Sequence, residues 1–432
     1  MPSISHSFDS STWIESWIEQ LMADRDVPLL FNPTLTPTKT SKRPRHGDID
    51  DDLTTPRPAR YAESQDASSV SSSSTKTSSA SRGSRSPRKK EFALRTTTNF
   101  PVDRRDISDM PQDIGENTLE LVGDLQEIGN GDRAVIPETF RKSVQRQSGL
   151  RRAPDRWFHP VPRTTATQNS EAAATGSSGS VSNTDQEEDM LDPDGRTMLI
   201  CQHWRLHEIW TNTKTCERKM EHEPAWNDSV HAPILAESIR GHNAVHYRNI
   251  TCCRVSPEYR DPDPLLGDNK VDYGLFLSQH PSEHNNPNDS LSHSPDILLP
   301  CSHIQLSDGA PTPLAVSIET KSLRADGIGG PSQLANWVRA HFRHLALLVE
   351  RAGGGVPLPV LPVVFVYGAS WRVDFAERRD GKTVIYESVV VGSTKTLQGC
   401  YQVRAALVRL GEWVDKEFGE WWRQLGSWDA VR

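Results

Sequence analysis

The stretch Ala315-Val316-Ser317-Ile318-Glu319-Thr320-Lys321 decides the fold. In an extended strand successive side chains point to opposite faces. Ser317, Glu319 and Lys321 therefore share one face, and Val316, Ile318 and Thr320 share the other. The pattern predicts a core strand whose apolar face is buried and whose far face projects an acid beside a lysine. Upstream, an isolated acid, Asp272, sits in a second strand pattern at 270–277.

The elements on either side complete an α/β pattern. Helices are expected at 119–128, at 136–140 with Pro137 in the first turn, at 196–218 and at 223–239, where Pro233 should kink or split the last one. A helix at 332–351 carries Leu334, Trp337, Val338, Phe342, Leu345 and Leu348 on one stripe. Strands at 360–367 and 370–377 lead to the hairpin turn Asp380-Gly381 and a strand at 383–391. A long helix at 396–425 closes the pattern, its inner stripe running from Leu397 through Tyr401, Leu410 and Phe418 to Leu425. Helices around three or four strands give a mixed sheet covered by helices.

Composition confines that domain to part of the chain. Hydrophobic residues are 35% of the 432, with 30 prolines and 27 glycines, so much of the sequence cannot bury enough apolar surface to offset its ordering entropy. The expected organisation is a short N-terminal helix segment at 1–31 and a disordered Ser/Pro/basic linker at 32–103. A domain at 104–425 follows, with disordered insertions near 161–192 and 278–312. Trp13, Trp17, Ile18 and Leu21 give the first segment an amphipathic stripe, best read as packing back on the domain. The linker carries Lys42-Arg43-Pro44-Arg45 and a second basic run from Arg82 to Lys90. A nuclear import signal and a solvated linker are the two readings of these runs.

Net charge is −8, so any affinity for nucleic acid must come from local basic patches. The six cysteines form no CxxC pair, which argues against zinc and for reduced thiols in an intracellular protein. No apolar run reaches the length of a membrane span.

Phosphodiester hydrolysis needs charge neutralisation at the phosphate and an activated water. Hard divalent metals held by one or two carboxylates supply both, and Mg²⁺ or Mn²⁺ is the expected cofactor. Asp272 and Glu319 suit that role, with the Thr320 carbonyl as a third oxygen. Lys321 could orient the water or stabilise the charge that develops on phosphorus.

Asp272, then Glu319-Thr320-Lys321, then a helix opening Gln333-Leu334-Ala335-Asn336-Trp337, resembles the PD-(D/E)xK nuclease superfamily. Glu223-Pro224-Ala225-Trp226-Asn227-Asp228-Ser229-Val230-His231 and Val391-Gly392-Ser393-Thr394-Lys395 are further similar to a fungal family of nuclease-like proteins within it. The resemblance implies a restriction-endonuclease-like fold, with a mixed β-sheet flanked by helices and a long disordered N-terminal region. It implies metal ligation by Asp272, Glu319 and Glu223, catalysis by Lys321, and a bracing or phosphate-contacting role for Gln333. Val271 stands where the family places proline.

Each assignment has a plainer reading beside it. Glu319 and Lys321 could be a surface ion pair of small energetic value. Glu223 could serve the helix dipole, and Gln333 could be a polar first-turn residue. Lys395 near a helix start is better explained by capping through Ser393 or Thr394 than by phosphate binding. His231 reads as a satisfied core histidine, and Trp421-Trp422 as core on one side and exposed on the other. Nucleic-acid hydrolysis, of DNA first, is the expected function. The alternative is a nuclease fold without turnover that binds nucleic acid or acts as a nuclear effector.

Overall fold

The computed structural model describes residues 86–148, 152–160, 193–266, 269–278, 301–306, 312–325 and 329–425, which belong to one compact unit. The amphipathic segment at 8–22, the linker up to residue 85 and the 161–192 insertion lie outside these residues.

Strand β6 (Leu314–Lys321) is an inner strand of a seven-stranded mixed sheet. On one side lie β5 (Tyr273–Leu277) and then β4 (Val245–Asn249) at the edge, both antiparallel steps. On the other side β7 (Leu361–Tyr367) runs parallel to β6, because the connection between them is the long helix Gly329–Arg351. β8 (Ser370–Arg379) and β9 (Lys382–Ser393) follow as antiparallel hairpin partners, turning at Asp380 and Gly381 with φ of 50° and 71°. β1 (Val102–Asp106) closes the far edge, parallel to β9. A separate parallel pair joins β2 (Ile136–Pro137) to β3 (Phe158–His159).

The helices in chain order are α1 (Pro87–Thr96), α2 (Glu116–Asn130), α3 (Arg141–Ser148), α4 (Pro193–Lys219), α5 (Glu223–Trp226), α6 (Ala232–Ile239), α7 (Gly329–Arg351), α8 (Leu397–Trp413) and α9 (Gly419–Gln424). α7 and α1 cover one face of the sheet, and α2, α4, α6 and α8 pack together on the other. The expected α/β fold, a mixed sheet flanked by helices, is therefore present.

Several elements differ from the sequence reading. Both faces of β6 are buried, the Ser317–Glu319 face included, because α7 lies across it and Trp337 Nε1 donates to Ser317 Oγ at 3.0 Å. The helix expected at 223–239 is divided, as the position of Pro233 predicts, but by a π-turn at Asn227–His231 that separates α5 from α6 just before the proline. α8 and α9 are likewise joined through a π-turn, Val414–Phe418. Residues 136–140 form β2 and a short 3-10 turn, and the helix starts at Arg141. Trp421 and Trp422 are both buried. Thr396, not Ser393 or Thr394, caps α8, accepting from Gly399 N at 3.0 Å. α1 falls inside the stretch assigned to the linker, and Ile304, assigned to the 278–312 insertion, pairs with Val255.

Two glycines give opposite expectations. A Cβ at Gly399 would stand 1.8 Å from the Ser393 carbonyl oxygen, which the tight entry to α8 cannot yield. Gly399→Ala should destabilise by about 2–3 kcal/mol. A Cβ at Gly123, inside α2, meets nothing within 4 Å. Gly123→Ala should stabilise by up to ~1 kcal/mol through helix propensity. Thermal unfolding of the two variants should bracket the parent protein.

Candidate active site

Glu319 is fully buried on β6 beneath α7, and Lys321 follows it on the same face at the strand end. Lys321 Nζ lies 2.6 Å from Glu319 Oε1. It donates to the Thr320 carbonyl at 2.8 Å and to Glu223 Oε2 at 3.3 Å. The ammonium ion-pairs with Glu319 Oε1 at hydrogen-bond distance, and no other described residue partners the carboxylate. Gly330, in the first turn of α7, allows this crowding, since a Cβ there would come within 3.2 Å of Lys321 Cγ.

Burial pushes the Glu319 carboxyl up to about 8, with Asp272 and Glu223 adding repulsion and Lys321 opposing it. Burial alone would lower Lys321, but Glu319, Glu223 and Asp272 outweigh it and hold the ammonium above its ordinary value. As a unit the pair therefore holds protons more tightly than the free groups would.

Asp272 immediately precedes β5 and is buried. Its main chain is fixed on both sides: its N–H donates to the Ile318 carbonyl at 3.1 Å, and its carbonyl accepts from Ile250 N at 2.8 Å. Its Oδ2 accepts from the Thr320 N–H and hydroxyl, each at 2.8 Å. Behind Thr320, the Asn227 amide lies 2.8 Å from Thr320 Oγ1 and 2.8 Å from His231 Nδ1, and His231 Nε2 is 2.9 Å from the Gly368 carbonyl. Burial lowers His231 to about 4, so the ring is neutral and carries one proton. That proton belongs on Nε2, because a carbonyl can only accept. Nδ1 must then accept, and the Asn227 amide satisfies both neighbours by presenting its NH₂ to them. The hydroxyl proton of Thr320 is left for Asp272.

All five residues proposed from sequence thus converge on one end of the sheet. Gln333 Nε2 donates to the Lys270 carbonyl, two residues before Asp272, which is a bracing contact. Lys395 points elsewhere, pairing with Glu217 at 2.8 Å. His231 is the satisfied core histidine expected. Thr320 and Asn227 were missed as side-chain orienters of Asp272. Their only sequence signal is that Thr320 lies between the two charged positions.

A profile of the PD-(D/E)XK nuclease superfamily matches residues 171–419. The chain belongs to the PD-(D/E)XK nuclease superfamily. No curated protein and no solved structure matches it. The family match spans α4 to the start of α9 and includes every residue of the site.

PD-(D/E)XK nucleases generally use divalent metals. Among the described residues, no three of His, Cys, Asp or Glu stand together in an arrangement that could hold a metal ion. The donor chemistry nevertheless fits one. Glu319 Oε1, the Thr320 carbonyl and Glu223 Oε2 already gather around a cation, the Lys321 ammonium.

The Glu319 shift has a sign that can be tested. A carboxyl whose proton is held more tightly in the folded state loses stability as pH rises from its ordinary value of 4.5 to about 8. The buried histidines, lowered from 6.5, still gain stability above pH 6.5 and oppose Glu319, but they do so equally in a Glu319→Gln variant, so the Glu319 effect is the difference between the two proteins. Between pH 6.5 and 8, in EDTA, the parent protein should lose up to ~2 kcal/mol of stability relative to Glu319→Gln. Chemical denaturation across the interval decides it, and an unchanged slope in the variant would place the titration elsewhere.

Proposed function

We propose that this nuclease-superfamily chain hydrolyses nucleic-acid phosphodiester bonds, DNA first, with Mg²⁺ or Mn²⁺. The observation that carries the reading is the carboxylate of Glu319, fully buried with Lys321 as its one partner and with Glu223 sharing that ammonium. Two acids gathered on one lysine at a buried strand end, with a carboxyl pKa pushed up to about 8, mark a functional site more readily than a structural ion pair.

In this reading Glu319 and Asp272 hold the metal, with Glu223 and the Thr320 carbonyl available to complete it. When bound, such a metal neutralises phosphate charge and lowers the pKa of its water. Thr320, through its N–H and hydroxyl, fixes which lone pairs Asp272 can present. Gln333 anchors the strand entry that carries Asp272. Lys321, held in its charged form by the surrounding acids, is suited to stabilise negative charge as it develops on the phosphoryl oxygens, not to remove a proton.

One observation favours a second reading, a nuclease fold that binds nucleic acid without turnover. The ammonium of Lys321 occupies the space among the carboxylate oxygens, an arrangement that is electrostatically complete without metal. Cleavage assays on plasmid and single-stranded DNA, with Mg²⁺, Mn²⁺ or EDTA, separate the two. The proposed enzyme cleaves only with metal, and Lys321→Ala and Glu319→Ala each lower the rate by at least ~100-fold at matched thermal stability. Cleavage that survives in both variants points to another site. Failure of the parent protein with either metal, on RNA as well as DNA, favours the binding protein.

A further inference from the structure

Helix α1 is docked against the candidate site by contacts that use one of its faces. Ala93 and Leu94 are buried. Glu91 accepts from Ser332 Oγ at 2.7 Å in the first turn of α7, the turn whose Gly330 abuts Lys321. Lys90 donates to Asn269 Oδ1, and the next residue, Lys270, is the one Gln333 holds through its carbonyl, two positions before Asp272. The helix therefore bridges α7, whose Gly330 abuts Lys321, and the segment that leads to Asp272.

What α1 leaves outward is unusual for a solvated helix. Arg88 and Lys89 are exposed, and neither makes an ion pair among the described residues. Phe92 follows Arg88 by one helical turn and is 69% exposed. The one acid of the helix, Glu91, is already engaged by Arg95 at 3.2 Å and Arg104 at 3.1 Å, so it does not neutralise this surface. In a chain of net charge −8, two unpaired cations beside an exposed aromatic ring form a local patch of opposite sign. Cations that track phosphates and a ring that stacks on an unpaired base are the two parts of a single-strand binding surface.

We propose that the outer face of α1, Arg88, Lys89 and Phe92, binds the nucleic-acid strand where it leaves the candidate active site, as a stretch with unpaired bases. This rests on the nucleic-acid reading above. It extends that reading by assigning a strand path and a preference for single-stranded substrate to a helix outside the Asp-Glu-Lys set and outside the family match. The basic run thereby serves substrate binding, not import alone.

The test is fluorescence anisotropy of labelled single-stranded DNA with the full chain in EDTA, between 50 and 200 mM salt, where no cleavage occurs. The parent protein is compared with Arg88→Ala/Lys89→Ala and with Phe92→Ala. The double variant should bind more weakly, and its slope of log affinity on log salt should be shallower by about 1.4, since each phosphate contact on a single strand contributes about 0.7. Phe92→Ala should weaken binding about five-fold or more with the slope unchanged, as expected for one lost stacking contact. All three residues are exposed, so neither variant should alter the thermal midpoint. Parent-like binding and slope in both variants overturns the surface while leaving the nuclease reading intact. Parent-like binding combined with lost nuclear entry assigns the cations to an import receptor, which also overturns it. No binding of any nucleic acid by the parent protein overturns the surface together with the reading on which it rests.

Discussion

The rest of the site is arranged around one buried carboxylate. Glu319 lies under α7, and only the Lys321 ammonium offsets its charge. Removing a carboxylate from water is expensive, and a single ion pair seldom compensates. The neighbouring architecture keeps that arrangement in place. The α7 helix covers the face, Gly330 leaves room for the lysine stem, and Glu223 reaches in from α5 to share the ammonium. The sheet supplies rigidity, with Glu319, Thr320 and Lys321 paired to β7 and the preceding residues of β6 paired to β5 as well.

Asp272 is treated in the opposite way. It is fully hydrogen-bonded on one oxygen, and its orientation is transmitted through Thr320, Asn227 and His231 to the Gly368 carbonyl at the β7–β8 turn. One acid is thus positioned by a chain of neutral donors, and the other by a single lysine. That chain of donors explains the π-turn at Asn227–His231. Widening the helix there places both Asn227 and His231 toward β6 and the β7–β8 turn, while still presenting Glu223 at the helix start.

Much of this was legible in the sequence because it rests on short periods. The alternation in 315–321 placed Glu319 and Lys321 together, and the stripe from Leu334 to Leu348 identified α7. The edge strands β1 and β4 escaped notice because Val102-Asp103-Arg104-Arg105-Asp106 and Val245-His246-Tyr247-Arg248-Asn249 bury only their first residue fully. α1 was hidden by its basic composition, its order depending on Ala93, Leu94 and a single acid. The Asn227–Thr320 contact spans 93 residues and the Asp272–Thr320 contact 48, so no local pattern encodes them. For the same reason the burial of Glu319 was misjudged: strand periodicity assigns a residue to a face but does not say that a helix will cover it.

The central proposal is that Glu319 and Asp272 hold a metal, with Glu223 and the Thr320 carbonyl beside them. The most direct measurement is anomalous diffraction at the manganese edge from crystals of the protein soaked in Mn²⁺. The account predicts a peak bound by Glu319 and Asp272, with the Lys321 ammonium displaced from its place among the carboxylates. A map with Mn²⁺ bound elsewhere, or with Lys321 still paired to Glu319 and no peak at saturating metal, would contradict it.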